Sequence, residues 1–140
     1  MHRFVQLVFV LLVSLFTSLP AYALDFKEGE WELSVRQSIT GMPTGMGVIT
    51  WRECLTQSNP IPTRYLKARS CDVIEQHAVY HMLNYKMSCY TENGSLINAG
   101  KIHFTGLKVT GKSKSDMGEV AGRNMVVRYK FEGRRIGDCQ

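Results

Sequence analysis

Four cysteines are the residues of this chain whose chemistry is easiest to specify. Cys54, Cys71, Cys89 and Cys139 are widely spaced, and no two of them form a Cys-x-x-Cys pair. The spacing therefore lacks the signature of a zinc ribbon, a thioredoxin-type redox pair or a c-type haem site. An even number of cysteines in a small exported domain is typical of disulfide bonds. The cysteines predict two structural disulfides, for which three pairings are open.

A β-hairpin centred on Tyr80 would select one of these three pairings. It would place Cys71 opposite Cys89, with both side chains on the apolar face of the hairpin. Cys54 and Cys139 would then pair by elimination, and their bond would tie the chain end to an early strand. The same register makes two further pairs of side chains face each other, Val73 with Met87 and His77 with Leu83.

Two histidines and a pair of methionines are weaker candidates for chemistry. His77 and His81 are four positions apart, but no Glu follows the first histidine as in a zinc protease motif. Met42 and Met46 lie in the glycine-rich segment 41–47, and thioether sulfur is a donor that suits Cu(I). Methionine is also an adaptable packing residue. We expect no metal and no cofactor, and we interpret Met42 and Met46 as part of a ligand-binding loop. A distant alternative is a soft-metal (copper) site in which His81, Met82 and Met87 join these two methionines.

Basic residues concentrate in the last third of the chain. The full sequence carries a formal net charge of +5. This excess permits attraction to anionic lipid or polysaccharide. It does not indicate nucleic acid, and export argues against that partner. Several of these residues are expected on the polar, solvated faces of strands; the set is Lys108, Lys112, Lys114, Arg123, Arg128, Lys130, Arg134 and Arg135.

Catalysis has little support in the sequence, and an enzyme is a distant third hypothesis. The chain contains no Gly-x-Ser-x-Gly motif, no His-Glu-x-x-His motif and no phosphate-binding loop. Neighbouring carboxylates occur, but nothing in their spacing indicates an acid–base pair. We therefore predict a protein that is not an enzyme.

The N-terminal segment has the features of a cleavable export signal. Residues 1–23 combine Arg3, an apolar stretch and the small-residue site Ala21-Tyr22-Ala23. The apolar stretch is shorter than the roughly 20 residues of a membrane-spanning helix. We predict a signal peptide over 1–23, a single domain over 24–140, and a periplasmic protein with no membrane anchor after cleavage.

The remaining chain alternates apolar and polar residues, as half-buried β-strands do. Turn signals separate these stretches, including Asn93-Gly94, which is a strong hairpin signal. We predict an all-β antiparallel meander of about seven to eight strands, curled into a barrel or half-open barrel and stabilised by disulfides. The side chains predicted to face inward are Trp31, Leu33, Trp51, Tyr85, Phe104, Tyr129 and Phe131.

Several short motifs in a fixed order resemble one known family. They are Gly29-Glu30-Trp31-Glu32, the segment 41–46, Cys54-Leu55, two spaced cysteines and the terminal segment 133–139. This order resembles the domain-of-unknown-function family 3617, a family of small exported proteins of Gram-negative bacteria. The resemblance covers roughly residues 27–139. It implies a periplasmic protein without an assigned activity, and it provides no catalytic residues.

Two functions follow from these observations as hypotheses. The first is a non-enzymatic binding module that holds a small apolar or lipid-like ligand in the barrel mouth. The second is a structural or interaction protein of the cell envelope with an anionic partner. Bound lipid would favour the first function, and salt-sensitive association with the envelope would favour the second.

Overall fold

The computed structural model describes residues 24–42 and 45–140. Over that range the chain forms one antiparallel sheet of seven strands and a single 3-10 turn, Arg64–Leu66, and no helix there is long and apolar enough for a membrane span. The predicted signal peptide, residues 1–23, lies outside the described residues. The strands are β1 (Gly29–Ile39), β2 (Met46–Leu55), β3 (Ser70–Val79), β4 (Met82–Thr91), β5 (Gly94–Thr105), β6 (Lys108–Val120) and β7 (Arg123–Gly137).

The strand order shows where the sheet closes and where it stays open. Across the sheet the strands run β2-β1-β7-β6-β5-β4-β3, so the first strand pairs with the last. Strands that follow each other in the chain are hydrogen-bonded neighbours, with the exception of β2 and β3, which form the two edges of the sheet. This is the order of an up-and-down barrel that is opened between β2 and β3. The predicted all-β, half-open barrel is confirmed.

Alternation along each strand separates an inner, buried face from an outer, exposed face. In β1 the side chains of Trp31, Leu33 and Val35 are fully buried, whereas Arg36 is exposed. Six of the seven side chains predicted to face inward are buried. The exception is Trp51, which is half-buried against the core because β2 forms an edge of the sheet.

A segment that we call the strap, residues 56–69, connects β2 to β3 and covers the inner face. Its residues Ile61, Tyr65 and Leu66 are buried in the same core as the inward-facing strand residues. The Tyr65 ring centre lies 4.9 Å from that of Tyr129 and 5.7 Å from that of Trp51. The strap therefore supplies the hydrophobic cover that a fully closed barrel would obtain from its opposite wall.

Residues 24–28 cover one end of the sheet. The Asp25 amide donates a hydrogen bond to the Tyr80 carbonyl, at 2.7 Å, in the turn between β3 and β4. One residue on, the Phe26 ring stacks on Phe104 with ring centres 4.3 Å apart. This short segment thus connects the β3–β4 turn to the start of β1.

Two disulfides, Cys54–Cys139 and Cys71–Cys89, join the chain in the combination that the hairpin argument selects. Cys54 lies at the end of β2 and Cys71 at the start of β3, so both ends of the strap are covalently anchored. Disulfides persist in oxidising compartments. The domain is therefore suited to an extracytoplasmic environment.

The predicted pairing of His77 with Leu83 is wrong. A β-bulge between Val73 and Glu75 inserts one residue into β3, and His77 consequently faces Asn84. Cys71 precedes the bulge on β3, so its predicted pairing with Cys89 on β4 is unaffected. The shift also shortens the β3–β4 turn to two residues, because Val79 pairs directly with Met82. Extra residues of this kind are common on edge strands, where they disturb pairing with another chain.

Candidate functional site

Four cations form a line across the outer face of the sheet. Arg36 of β1 is paired with Lys130 of β7, Lys130 with Lys112 of β6, and Lys112 with Lys101 of β5. All four side chains are exposed. We call Arg36, Lys130, Lys112 and Lys101 the cation row. Neighbouring strands are about 4.8 Å apart, so the row extends over about 14 Å at right angles to the strands.

Cross-strand neighbours of like charge destabilise a sheet. The cation row contains three such contacts in succession, and the next row on the same face adds another, between Lys114 and Arg128. Opposite charges at these positions would have stabilised the same strands. Residues that reduce local stability without an evident structural benefit are typical of functional sites.

Shallow grooves flank the cation row on the outer face. One of about 680 Å³ is lined by the whole row together with Ser34, His103 and Glu132 among others. The second, of about 650 Å³, lies towards Lys114 and Arg128 and is also lined by the whole row. Tyr85, Ser113 and Tyr129, which also line this second groove, are buried residues of the inner face.

Cations elsewhere on the surface form ion pairs, unlike those of the cation row. Glu32 lies 3.0 Å from Arg134 and 3.8 Å from Arg52, and Glu75 lies 3.6 Å from Lys86. None of the four cation-row side chains forms an ion pair within residues 24–42 and 45–140. Glu132 lines the same groove but forms no direct ion pair with the row among the described residues.

Sequence analysis found only part of this surface. Lys112 and Lys130 belong to the basic residues of the last third of the chain, whereas Lys101 lies seven residues before that cluster and Arg36 lies far from it. Alternation places all four side chains on the polar face of their strands. The alignment of Arg36 with the three lysines depends on pairing between the distant strands β1 and β7, and alternation does not specify the register of that pair or of the β5–β6 and β6–β7 hairpins.

The predicted ligand-binding loop lies between β1 and β2. Met42 and Met46 are exposed at 56% and 51%, and Met46 pairs with Gln37 beyond a bulge. Pro43 and Thr44, between them, lie outside the described residues. Ile49, which shares the inner face with Val35, is also exposed. The loop therefore presents apolar surface at one end of the half-open barrel.

The residues of the predicted soft-metal site do not come together. Met87 is fully buried on the inner face, and Met46 lies at the opposite end of the sheet from the turn that carries His81. His77 is exposed on β3. His81 instead lies beside His103 of β5, with ring centres 4.6 Å apart. Among the described residues, no group of three or more His, Cys, Asp or Glu side chains could hold a metal ion.

A buried polar cluster underlies the strap. The hydroxyl groups of Tyr65 and Ser113 are 2.8 Å apart, and the Asn98 amide donates to Ser115 at 3.0 Å. Asn98 is fully buried, and its carbonyl oxygen has no hydrogen-bond partner among the described residues. Burial raises the pKa of the Tyr65 phenol well above 10.0, and the nearby Tyr85 adds to the effect. Burial likewise raises the pKa of Tyr85. These hydroxyl groups are neutral donors and acceptors that orient the strap.

Comparison with known proteins places the chain in one family. A family model described as "Protein of unknown function (DUF3617)" matches residues 26–139, which is nearly the whole described domain. Neither the curated proteins nor the solved structures yielded a significant match. The matched range contains both disulfides and the complete cation row. The chain belongs to the DUF3617 family of proteins of unknown function.

Proposed function

We propose that this protein is a non-enzymatic binding module whose outer face binds an anionic ligand. The cation row is the observation that supports this function, because its three successive cross-strand contacts between like charges reduce the stability of the sheet. A bound anion would remove that repulsion and would gain four favourable contacts. The row therefore favours a partner that supplies negative charge.

The shape of the row favours an extended polyanion. The charges lie on one line of about 14 Å, at intervals set by the strand spacing. Grooves beside this line are lined by the same four residues and can hold the uncharged parts of a chain. An acidic polysaccharide, with carboxylate or phosphate groups at regular intervals, has this chemistry.

The compartment proposed for this binding is the periplasm. Two disulfides support an oxidising environment outside the cytoplasm. The signal peptide predicted at residues 1–23 would direct the chain there, and cleavage after Ala23 would release it. Acidic polymers and lipids of the cell envelope would then be accessible to the outer face.

Binding to acidic oligosaccharides of defined length tests the proposal. The disulfide-bonded protein should bind oligogalacturonate, and the affinity should fall as the ionic strength rises, because salt screens exposed charges. The double variant Lys101→Glu, Lys112→Glu should bind at least about tenfold more weakly, since it places two negative charges inside the row. Isothermal titration calorimetry measures both effects.

A second double variant provides the matched control. Lys27→Glu with Arg123→Glu changes the net charge by the same amount at exposed positions outside the row. Its affinity for oligogalacturonate should stay within about twofold of the original protein. An equal loss of affinity in both double variants would show that net charge alone attracts the ligand. Binding to phosphatidylglycerol vesicles, but not to oligogalacturonate, would replace the polysaccharide with a membrane surface.

The exposed apolar loop supports a second candidate function. Met42, Met46 and Ile49 are exposed apolar side chains in or next to this loop, as a site for a small apolar or lipid-like ligand requires. Native mass spectrometry of protein isolated from the periplasm would detect such a ligand as added mass. The added mass should disappear in the Met42→Ser, Met46→Ser variant. Its persistence there, or its absence from the original protein, would contradict this candidate.

A further inference from the structure

The β3–β4 turn brings three potential metal ligands together on the outer face. The His81 and His103 rings are 4.6 Å apart at their centres. Met82 follows His81 in the chain and is the cross-strand partner of His103. The neighbouring cross-strand pair, His81 with Phe104, is a hydrogen-bonded pair, because the Phe104 amide donates to the His81 carbonyl at 2.9 Å. The two kinds of pair alternate along an antiparallel ladder, so Met82 and His103 form a non-hydrogen-bonded pair, in which side chains approach more closely.

The geometry of the two rings is compatible with a shared ion. An imidazole nitrogen binds a transition metal at about 2 Å, so two rings on one ion have centres about 5 Å apart. The observed separation of 4.6 Å is close to this value. Directly opposed side chains have Cβ atoms about 5 Å apart, which allows the flexible thioether of Met82 to reach the same point.

The surroundings leave these donors accessible. His81 is exposed, His103 is half-buried and Met82 is 37% exposed. A cleft of about 520 Å³ beside the pair is lined by His81, His103, Asp25 and Lys27 among other residues. Asp25 and Lys27 bring one charge of each sign to this cleft, and the cation row borders His103 on its other side. No residue of the cation row is required as a ligand.

We propose that His81, His103 and Met82 form a binding site for Cu(I). Imidazole and thioether donors suit this soft ion, whereas Mg²⁺ and Ca²⁺ require oxygen ligands. The site uses two residues of the predicted soft-metal site, His81 and Met82. It replaces the distant methionines with His103, which no sequence motif links to the turn. This inference does not depend on anion binding at the outer face.

Anaerobic titration with Cu(I), in competition with a chromophoric chelator, tests the site. The disulfide-bonded protein should bind one Cu(I). His81→Ala and His103→Ala should each weaken binding at least about tenfold, because each removes one of three ligands. Met82→Leu should weaken Cu(I) binding while leaving Zn(II) binding within twofold, since Zn(II) is held mainly by nitrogen, oxygen and thiolate.

His77→Ala is the matched control, because His77 is an exposed histidine on β3 that faces Asn84. Its affinity for Cu(I) should equal that of the original protein. Thermal melts of the metal-free variants should coincide with that of the original, which separates ligand loss from unfolding. X-ray absorption of the Cu(I) form should show two nitrogen neighbours and one sulfur neighbour. A spectrum without sulfur, or an equal loss of affinity in His77→Ala, would overturn the site.

Discussion

Single residues on the inner face are chosen for size as much as for polarity. Gly111 of β6 is paired with Phe131 of β7, and a Cβ atom at Gly111 would overlap the Phe131 ring. Gly100 likewise leaves space beside Tyr85 and Ser113. Small residues of this kind let large rings lie flat on the sheet, as close packing of the core requires.

Gly111→Ala should therefore destabilise the fold. The added methyl group must displace the Phe131 ring, and overpacking of this kind costs about 1–3 kcal/mol of unfolding free energy. Gly47→Ala is the control, because a Cβ atom at Gly47 would meet nothing within 4 Å. Its effect should stay within about 0.5 kcal/mol. Urea unfolding of both variants measures the difference, and equal effects would contradict the packing argument.

Alkaline pH should weaken the fold through Tyr65. Its pKa is raised by burial in the native state, so the unfolded chain releases the phenolic proton at a lower pH. The native state then holds more protons than the unfolded state, and stability falls as the pH rises above about 10. Tyr65→Phe should show a shallower decline than the original protein. Tyr80→Phe, at a side chain that is 73% exposed, should show the original slope.

At the scale of elements, β1 belongs to the core and the loop after it does not. Trp31 is fully buried in β1, so Trp31→Ala should reduce the unfolding free energy by about 3–5 kcal/mol. Met42 and Met46 are more than half exposed, so replacing both by Ala should cost less than about 1 kcal/mol. Denaturant melts compare the two variants. Similar losses would place the loop in the core and would remove the support for an apolar site there.

The two disulfides anchor the strap and should contribute unequally. Cys54 and Cys139 are 85 residues apart, for which chain entropy gives about 4–5 kcal/mol. Cys71 and Cys89 are 18 residues apart, which corresponds to about 3 kcal/mol. Typical domains are stable by about 5–15 kcal/mol, so the protein without both bonds should be largely unfolded at 37 °C. Circular dichroism of Cys→Ala pairs tests this, and non-reducing peptide maps that link Cys54 to Cys71 would contradict the pairing.

At the scale of the whole molecule, positive charge is distributed unevenly. Acidic residues pair with cations on β2, β4 and β7, whereas the centre of the outer face carries the cation row. The row reduces stability and supplies the proposed binding surface at the same time. The two effects can be measured on one variant.

Lys112→Thr should stabilise the folded protein while it weakens anion binding. Lys112 lies between Lys130 and Lys101, so its removal relieves two repulsive contacts. The gain should be several tenths of a kcal/mol at low ionic strength and should vanish at high salt, because salt screens exposed charges. Lys27→Thr, outside the sheet, should give no salt-dependent gain. A loss of stability in Lys112→Thr would show that the row is held by contacts within the fold.

Much of the fold could be predicted because its signals are local. The alternation around Trp31 and around Phe131 reports directly which face of each strand is buried. The position of Cys71 opposite Cys89 also follows from one short hairpin. The bulge at Ile74 could not be foreseen, because β3 is an edge strand and its apolar residues are exposed on both faces. An error of one residue in register then moves His77 from Leu83 to Asn84.

The sequence by itself determined the strands, their inner faces, the position of Cys71 opposite Cys89 and the polar character of the outer face, because each depends on alternation or on a nearby partner. Only the tertiary structure decided that Arg36 lines up with Lys130, Lys112 and Lys101. It also decided that the sheet closes between β1 and β7, and that His103 meets His81. The β1–β7 contact joins segments far apart in the chain, and the contacts on β4, β5 and β6 depend on the register of successive hairpins. Their register is selected by packing of the whole inner face, which no local pattern contains.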